Sequence, residues 1–97
     1  MNSTNLIKIG DNVHLSTGVI INTGSLDYKK IGLNRVHISK PVTIDDGVWI
    51  GSGVIINPGV TIGKNSVIGA GAVVTKSIPE NVIAVGVPAE VIKNIND

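Results

Sequence analysis

A chain of ninety-seven residues with a formal net charge of +1, 15% charged and 42% hydrophobic side chains makes a single small domain, residues 1–97, with no broad surface for nucleic acid. The absence of cysteine removes disulfides and thiolate metal sites. No apolar run approaches membrane-spanning length, and the opening MNSTNLIKIGDN lacks the apolar centre of a signal peptide, so the expected location is the cytoplasm.

In chain order, a short polar start leads through Leu6 and Ile7 into a six-residue repeat at Ile9, written IGDNVH, LSTGVI, INTGSL. The phase breaks after Leu26, returns at Ile38 with ISKPVT, and then runs without interruption from Ile44 to Pro79 as IDDGVW, IGSGVI, INPGVT, IGKNSV, IGAGAV, VTKSIP. Such a period decides the architecture before any helix or strand is assigned. The first place of each block is Ile, Leu or Val, and the fifth is small or branched (Val48, Val54, Val60, Ser66, Ala72, Ile78). Fifth and following first places are two apart, so they point to one side of a short strand. The Gly, Asn and Asp between them suit turns that visit positive φ. A helix needs apolar residues three and four apart, and an alternating β-sandwich has no reason to keep a phase of six. Three strands and three corners therefore close an eighteen-residue coil of a triangular prism, with Ile44 on Ile62, Ile50 on Ile68 and Ile56 on Val74. Carried across the break, the same phase stacks Ile9, Ile38, Ile56 and Val74 on one face. Leu15 then stacks with Ile44 and Ile62, and Ile21 with Ile50 and Ile68.

Asp27 to His37 (DYKKIGLNRVH) reads as an inserted loop leaving a corner, although IGLNRV from Ile31 could be an irregular block of its own. The segment holds the sole Tyr, the sole Arg and one of two histidines. A loop on a regular solenoid is where binding residues collect. After Pro79 the phase is lost. Residues 80–97 read as a strand (Val82 to Val85), a turn at Gly86-Val87-Pro88 and a short C-terminal helix beginning near Pro88. Ala89, Val91, Ile92 and Ile95 of that helix would cover the open end of the prism.

The sixth place of each block points outward: His14, Ile20, Leu26, Thr43, Trp49, Ile55, Thr61, Val67 and Val73. Six of these nine are apolar where water is expected, which reads either as strand propensity or as a self-association surface.

The run VWIGSGVIINPGVTIGKNSVIGAGAVVTKSIPENVIAVGVPAEVI resembles the hexapeptide-repeat acyltransferases, most of all the C-terminal half of the maltose and galactoside O-acetyltransferase group. The resemblance implies an all-β, left-handed parallel β-helix, a homotrimer of parallel prisms, and acetyl-CoA as co-substrate in a groove between neighbours. It implies acetyl transfer to a hydroxyl or amine of a small molecule, in this group a sugar. Carried over residue by residue, Ser52 of VWIGS falls near the thioester carbonyl. Ala70 of IGAGA and Thr75 of VVTK line the pantetheine arm, and Lys76 and Lys93 meet phosphates. Glu90 falls where the family has another basic residue. The larger enzymes also carry an N-terminal segment that helps to bind the acceptor, whereas this chain begins almost at the repeat.

Acyl transfer from a thioester needs a base for the acceptor's proton and a donor near the oxyanion. Many enzymes of this kind present a histidine in a TGSHDY-type motif, and here TGSLDY places Leu26 at that position. His37, in a Val36-His37-Ile38 context that resembles a second-histidine position of sugar-amine acyltransferases, is one candidate base, and His14 is another. With neither acting, the chain would be a catalytically silent trimeric scaffold or a CoA-binding protein. Two histidines fall short of the three that a γ-class carbonic anhydrase needs for zinc, so no metal is expected.

Overall fold

The computed structural model describes residues 6–26 and 37–96. Each block of six yields one strand of two or three residues and one corner, and successive strands fall on three faces in turn. The first face holds β1 (Ile7–Ile9), β6 (Val42–Ile44) and β9 (Thr61–Ile62), with Ile78 bridged to Ile62. The second holds β2 (His14–Leu15), β7 (Trp49–Ile50), β10 (Val67–Ile68) and β12 (Val82–Val85), with β13 (Glu90–Asn94) along its edge. The third holds β3 (Ile20–Ile21), β8 (Ile55–Ile56) and β11 (Val73–Val74). Pairing within the coil is parallel, β13 runs antiparallel to β12, and β4 (Gly24–Leu26) and β5 (His37–Ser39) form a separate antiparallel hairpin.

First and fifth places converge inside. Ile44, Ile50, Ile56, Ile62 and Ile68 are completely buried, and so are Val48, Val54 and Ala72. Each such Ile or Val side chain stabilises the fold by roughly 1.5–3 kcal/mol. Ser66 is the one buried polar residue among those described. Its hydroxyl donates to the Pro79 carbonyl at 2.6 Å and accepts from the Val82 N–H at 3.2 Å, tying the last coil to the one beneath. The corner between the first and second faces is turned by residues at positive φ: Asn12 (59°), Gly47 (74°), Asn65 (62°) and Asn81 (59°). Asn is among the few side chains that tolerate this region.

Two expectations are corrected. Across the excursion, β1 pairs with β6, β2 with β7 and β3 with β8, so Ile9 stacks with Ile44, Leu15 with Ile50 and Ile21 with Ile56. Ile38 belongs to the hairpin and not to the prism. The Lys40 N–H donates to the Thr23 carbonyl at 2.8 Å, so the chain re-enters the coil at Lys40-Pro41. The excursion is therefore longer than Asp27–His37, and its 27–36 portion lies outside the described residues. The C-terminal segment is a strand, not a helix. β12 offers an open edge of backbone donors and acceptors, and the β-branched Val91 and Ile92 suit the strand that pairs with it. Ala89 packs against the core, but Val91, Ile92 and Ile95 stay exposed, and Ile78, Val82 and Ala84 close that end instead. At the opposite end no further coil covers the first one among the described residues, and its inward Ile9 (46% exposed) and Leu15 (43%) are open to solvent.

Candidate functional site

The third face is an apolar strip between two polar corners. Its outward residues Ile20, Ile55 and Val73 stand in register across β3, β8 and β11. Along one side runs the corner that carries Thr17, Ser52 and Ala70. The Gly53 N–H donates to the Thr17 carbonyl at 3.0 Å, and the Gly71 N–H to the Ser52 carbonyl at 2.9 Å. Ser52 and Ala70 thus stack directly and both are exposed, as the eighteen-residue spacing requires. Coils can approach this closely because position 51 is glycine: a Cβ there would lie 2.6 Å from the Ala70 nitrogen.

Along the other side runs the corner of Asn22, Asn57 and Thr75. The Asn22 N–H donates to the Ile56 carbonyl at 2.9 Å and the Asn57 N–H to the Val74 carbonyl at 3.0 Å. Thr75 and Lys76 are exposed at its C-terminal end. From the same corner, toward the N-terminal end, the β4–β5 hairpin departs between Thr23 and Lys40. The Lys40 stem lies over Gly59, where a Cβ would sit 3.3 Å from Cδ. In the hairpin, Leu26 and His37 are register partners, directly opposed across the two strands. The position that lacks the expected histidine and the position that has one form a single cross-strand pair.

His14 is placed elsewhere. It is exposed on the second face, in register with Trp49, and is separated from the hairpin's corner by the width of the third face. Lys93 is also on the second face, in register with Ile83, so one protomer does not bring it to Lys76. What faces Lys76 is a cleft of ≈ 250 Å³ lined by Lys76, Ser77, Ile78, Pro88, Ala89, Glu90 and Val91. The Ala89 N–H donates to the Val73 carbonyl at 2.8 Å, which holds Pro88–Val91 beside the start of β11. Expecting a helix from Pro88 hid this cleft, because only a strand folded back on β12 sets Glu90 there.

An apolar floor with hydroxyl groups on both rims and the side-chain amides of Asn22 and Asn57 on one fits an extended, amide-containing thioester arm. Among the described residues no group of three or more His, Asp or Glu is placed to hold a metal ion. No helix there is long and apolar enough to cross a membrane.

Comparison with known proteins agrees with this geometry. Residues 34–76 match the model described as bacterial transferase hexapeptide (six repeats), and residues 2–23 the hexapeptide repeat of succinyl-transferase. The chain is 54% identical over 92 residues to the galactoside O-acetyltransferase of Escherichia coli, a match covering 94% of this chain and 45% of that protein. It is 40% identical over 89 residues to a 2,3,4,5-tetrahydropyridine-2,6-dicarboxylate N-acetyltransferase of Halalkalibacterium halodurans, covering 92% and 33% respectively. Among solved structures it resembles a galactoside acetyltransferase in complex with coenzyme A (TM-score 0.85, 49% identity, 94% of this chain and 46% of that one). It also resembles the maltose O-acetyltransferase of Clostridium difficile (TM-score 0.86, 53% identity, 94% and 49%). The chain spans about half the length of the first two solved relatives. The likeness also sets the hand of the coil, which is a left-handed parallel β-helix.

Proposed function

The chain belongs to the hexapeptide-repeat acyltransferase family, and on that premise we propose that it binds acetyl-CoA and transfers the acetyl group to a hydroxyl or amine of a small molecule, a sugar above all. The observation that carries this is the third-face strip, with Ser52 and Ala70 on one rim, Asn57 and Thr75 on the other, and the hairpin rising from the second rim. A neighbouring prism of a homotrimer supplies the outer wall of the groove, and Lys93 reaches the donor only from such a neighbour. Ser52 lies near the thioester carbonyl, Ala70 and Thr75 line the arm, and Lys76 meets a phosphate. The expected location is the cytoplasm.

In this reading His37 is the general base. It takes the proton of the acceptor hydroxyl or amine as that oxygen or nitrogen attacks the thioester carbon, and the thiol leaves as the carbon–sulfur bond breaks. Its support is positional: His37 stands opposite Leu26 in the hairpin, and the hairpin shares a corner with Asn57 and Thr75, whereas His14 does not. Leu26 itself favours a second reading, a catalytically silent trimer that binds the donor or serves as a scaffold.

Calorimetric titration with acetyl-CoA, followed by thiol release in the presence of sugars and amino sugars, separates the two. Saturable binding with thiol release supports the transferase. Binding without release leaves the silent form, and no binding at millimolar donor removes both donor-dependent readings.

A further inference from the structure

The cleft beside Lys76 contains one cation and one anion. Lys76 approaches from the corner after β11 and Glu90 from the start of β13, over an apolar floor of Ile78, Pro88, Ala89 and Val91. A donor laid along the third face with its thioester near Ser52 runs past Ala70 and Thr75 into this cleft, so its nucleotide end arrives between the two charges. A lysine rewards a phosphate through a charge-assisted hydrogen bond, but a carboxylate in the same cleft repels the same group. The net charge that this protomer's cleft offers to an added phosphate is therefore zero.

We propose that this cleft accepts the nucleotide end of the acyl donor without selecting for a ribose 3′-phosphate, because Glu90 offsets what Lys76 offers. Thioesters of dephospho-coenzyme A and of coenzyme A are bound alike. The inference rests on the third face being the donor site, and it assigns Glu90 as the residue that sets donor specificity there.

The test is titration of the full chain, in its native assembly and at low ionic strength, with acetyl-CoA and separately with acetyl-dephospho-CoA. The two dissociation constants should agree within about threefold, which is less than one charged contact usually contributes. A preference for acetyl-CoA beyond that, including one produced by a neighbour's Lys93, overturns the proposal. In Glu90→Lys the preference for acetyl-CoA should rise to about tenfold or more, and in Glu90→Gln it should lie between. Glu90 is exposed, so both variants should keep the wild-type circular dichroism and assembly mass. An unchanged ratio in Glu90→Lys removes Glu90 from this role. If neither thioester binds, the donor-site reading falls and the inference with it. Binding of both with a clear coenzyme A preference defeats the selectivity alone.

Discussion

Positions 26 and 37 are opposed residues of an antiparallel pair, whose Cα atoms stand roughly 4.5–5.5 Å apart. Moving a base from one to the other displaces it by about one strand spacing, a distance a flexible acceptor can follow. His37→Ala should therefore lower kcat by about a hundred- to ten-thousand-fold while donor affinity in calorimetry stays unchanged. Adding Leu26→His to that variant should recover part of the loss. If His37→Ala keeps full activity, the proton goes elsewhere. A second single-residue test concerns stability. Ser66→Ala strips the partner from the Pro79 carbonyl and the buried Val82 N–H at a side chain that is itself fully buried. It should cost about 1–3 kcal/mol, read as a lower midpoint in urea unfolding.

At the scale of elements, the corners show why the repeat was so readable. A coil stacks on the next only if its backbone can pass at strand spacing, and that demand recurs every eighteen residues as a glycine or a small residue. At Gly51 an added Cβ would meet the Ala70 backbone, whereas at Gly53 nothing lies within 4 Å and only the positive φ of 71° matters. Gly51→Ala should thus unfold or strongly destabilise the chain. Gly53→Asn, a residue already used at the neighbouring corner's positive-φ places, should shift thermal unfolding only slightly. The prism, its core and the stacking of Ser52 on Ala70 were legible because each follows from local periodicity. What was not legible depended on contacts distant in sequence. Ile38 keeps arithmetic phase with Ile44, yet the Lys40–Thr23 hydrogen bond, which no local pattern announces, returns the chain to the coil after it. Pro88 followed by Ala, Glu, Val and Ile suits a helix start in isolation. The free edge of β12 outweighs that propensity, and with the edge strand comes the cleft that sets Glu90 opposite Lys76. β13 carries an irregularity opposite Ile83/Ala84 and bears Glu90 and Lys93, devices that keep an exposed edge from pairing with other chains.

For the whole molecule, the outward side chains are sorted by face in a way the linear count of apolar sixth places did not reveal. The first face presents Lys8, Thr43 and Thr61. The second presents His14, Trp49, Val67, Ile83 and Lys93, and the third Ile20, Ile55 and Val73. Two faces of the triangle are apolar along their middles and one is polar. Strand propensity alone accounts for β-branched residues on all three faces but not for the confinement of the hydroxyl-bearing ones, Thr43 and Thr61, to the first, so the asymmetry favours self-association through the second and third faces, with the first facing water. In the proposed homotrimer the second face of one prism meets the third face of the next, so each prism uses two of its three sides and leaves the first to water. Light scattering should give three times the 10.0 kDa protomer mass. Ile20 and Thr61 make a matched pair for the test, because both are exposed in the single chain and lie on different faces. Ile20→Asp would bury an unpaired charge in the assembly and should dissociate it to folded monomer. Thr61→Asp, on the polar face, should leave the mass unchanged. If Thr61→Asp dissociates the assembly and Ile20→Asp does not, the first face is the contact. The third-face groove would then be open to water on its outer side, and donor affinity in the dissociated Thr61→Asp variant should equal that of the unaltered chain.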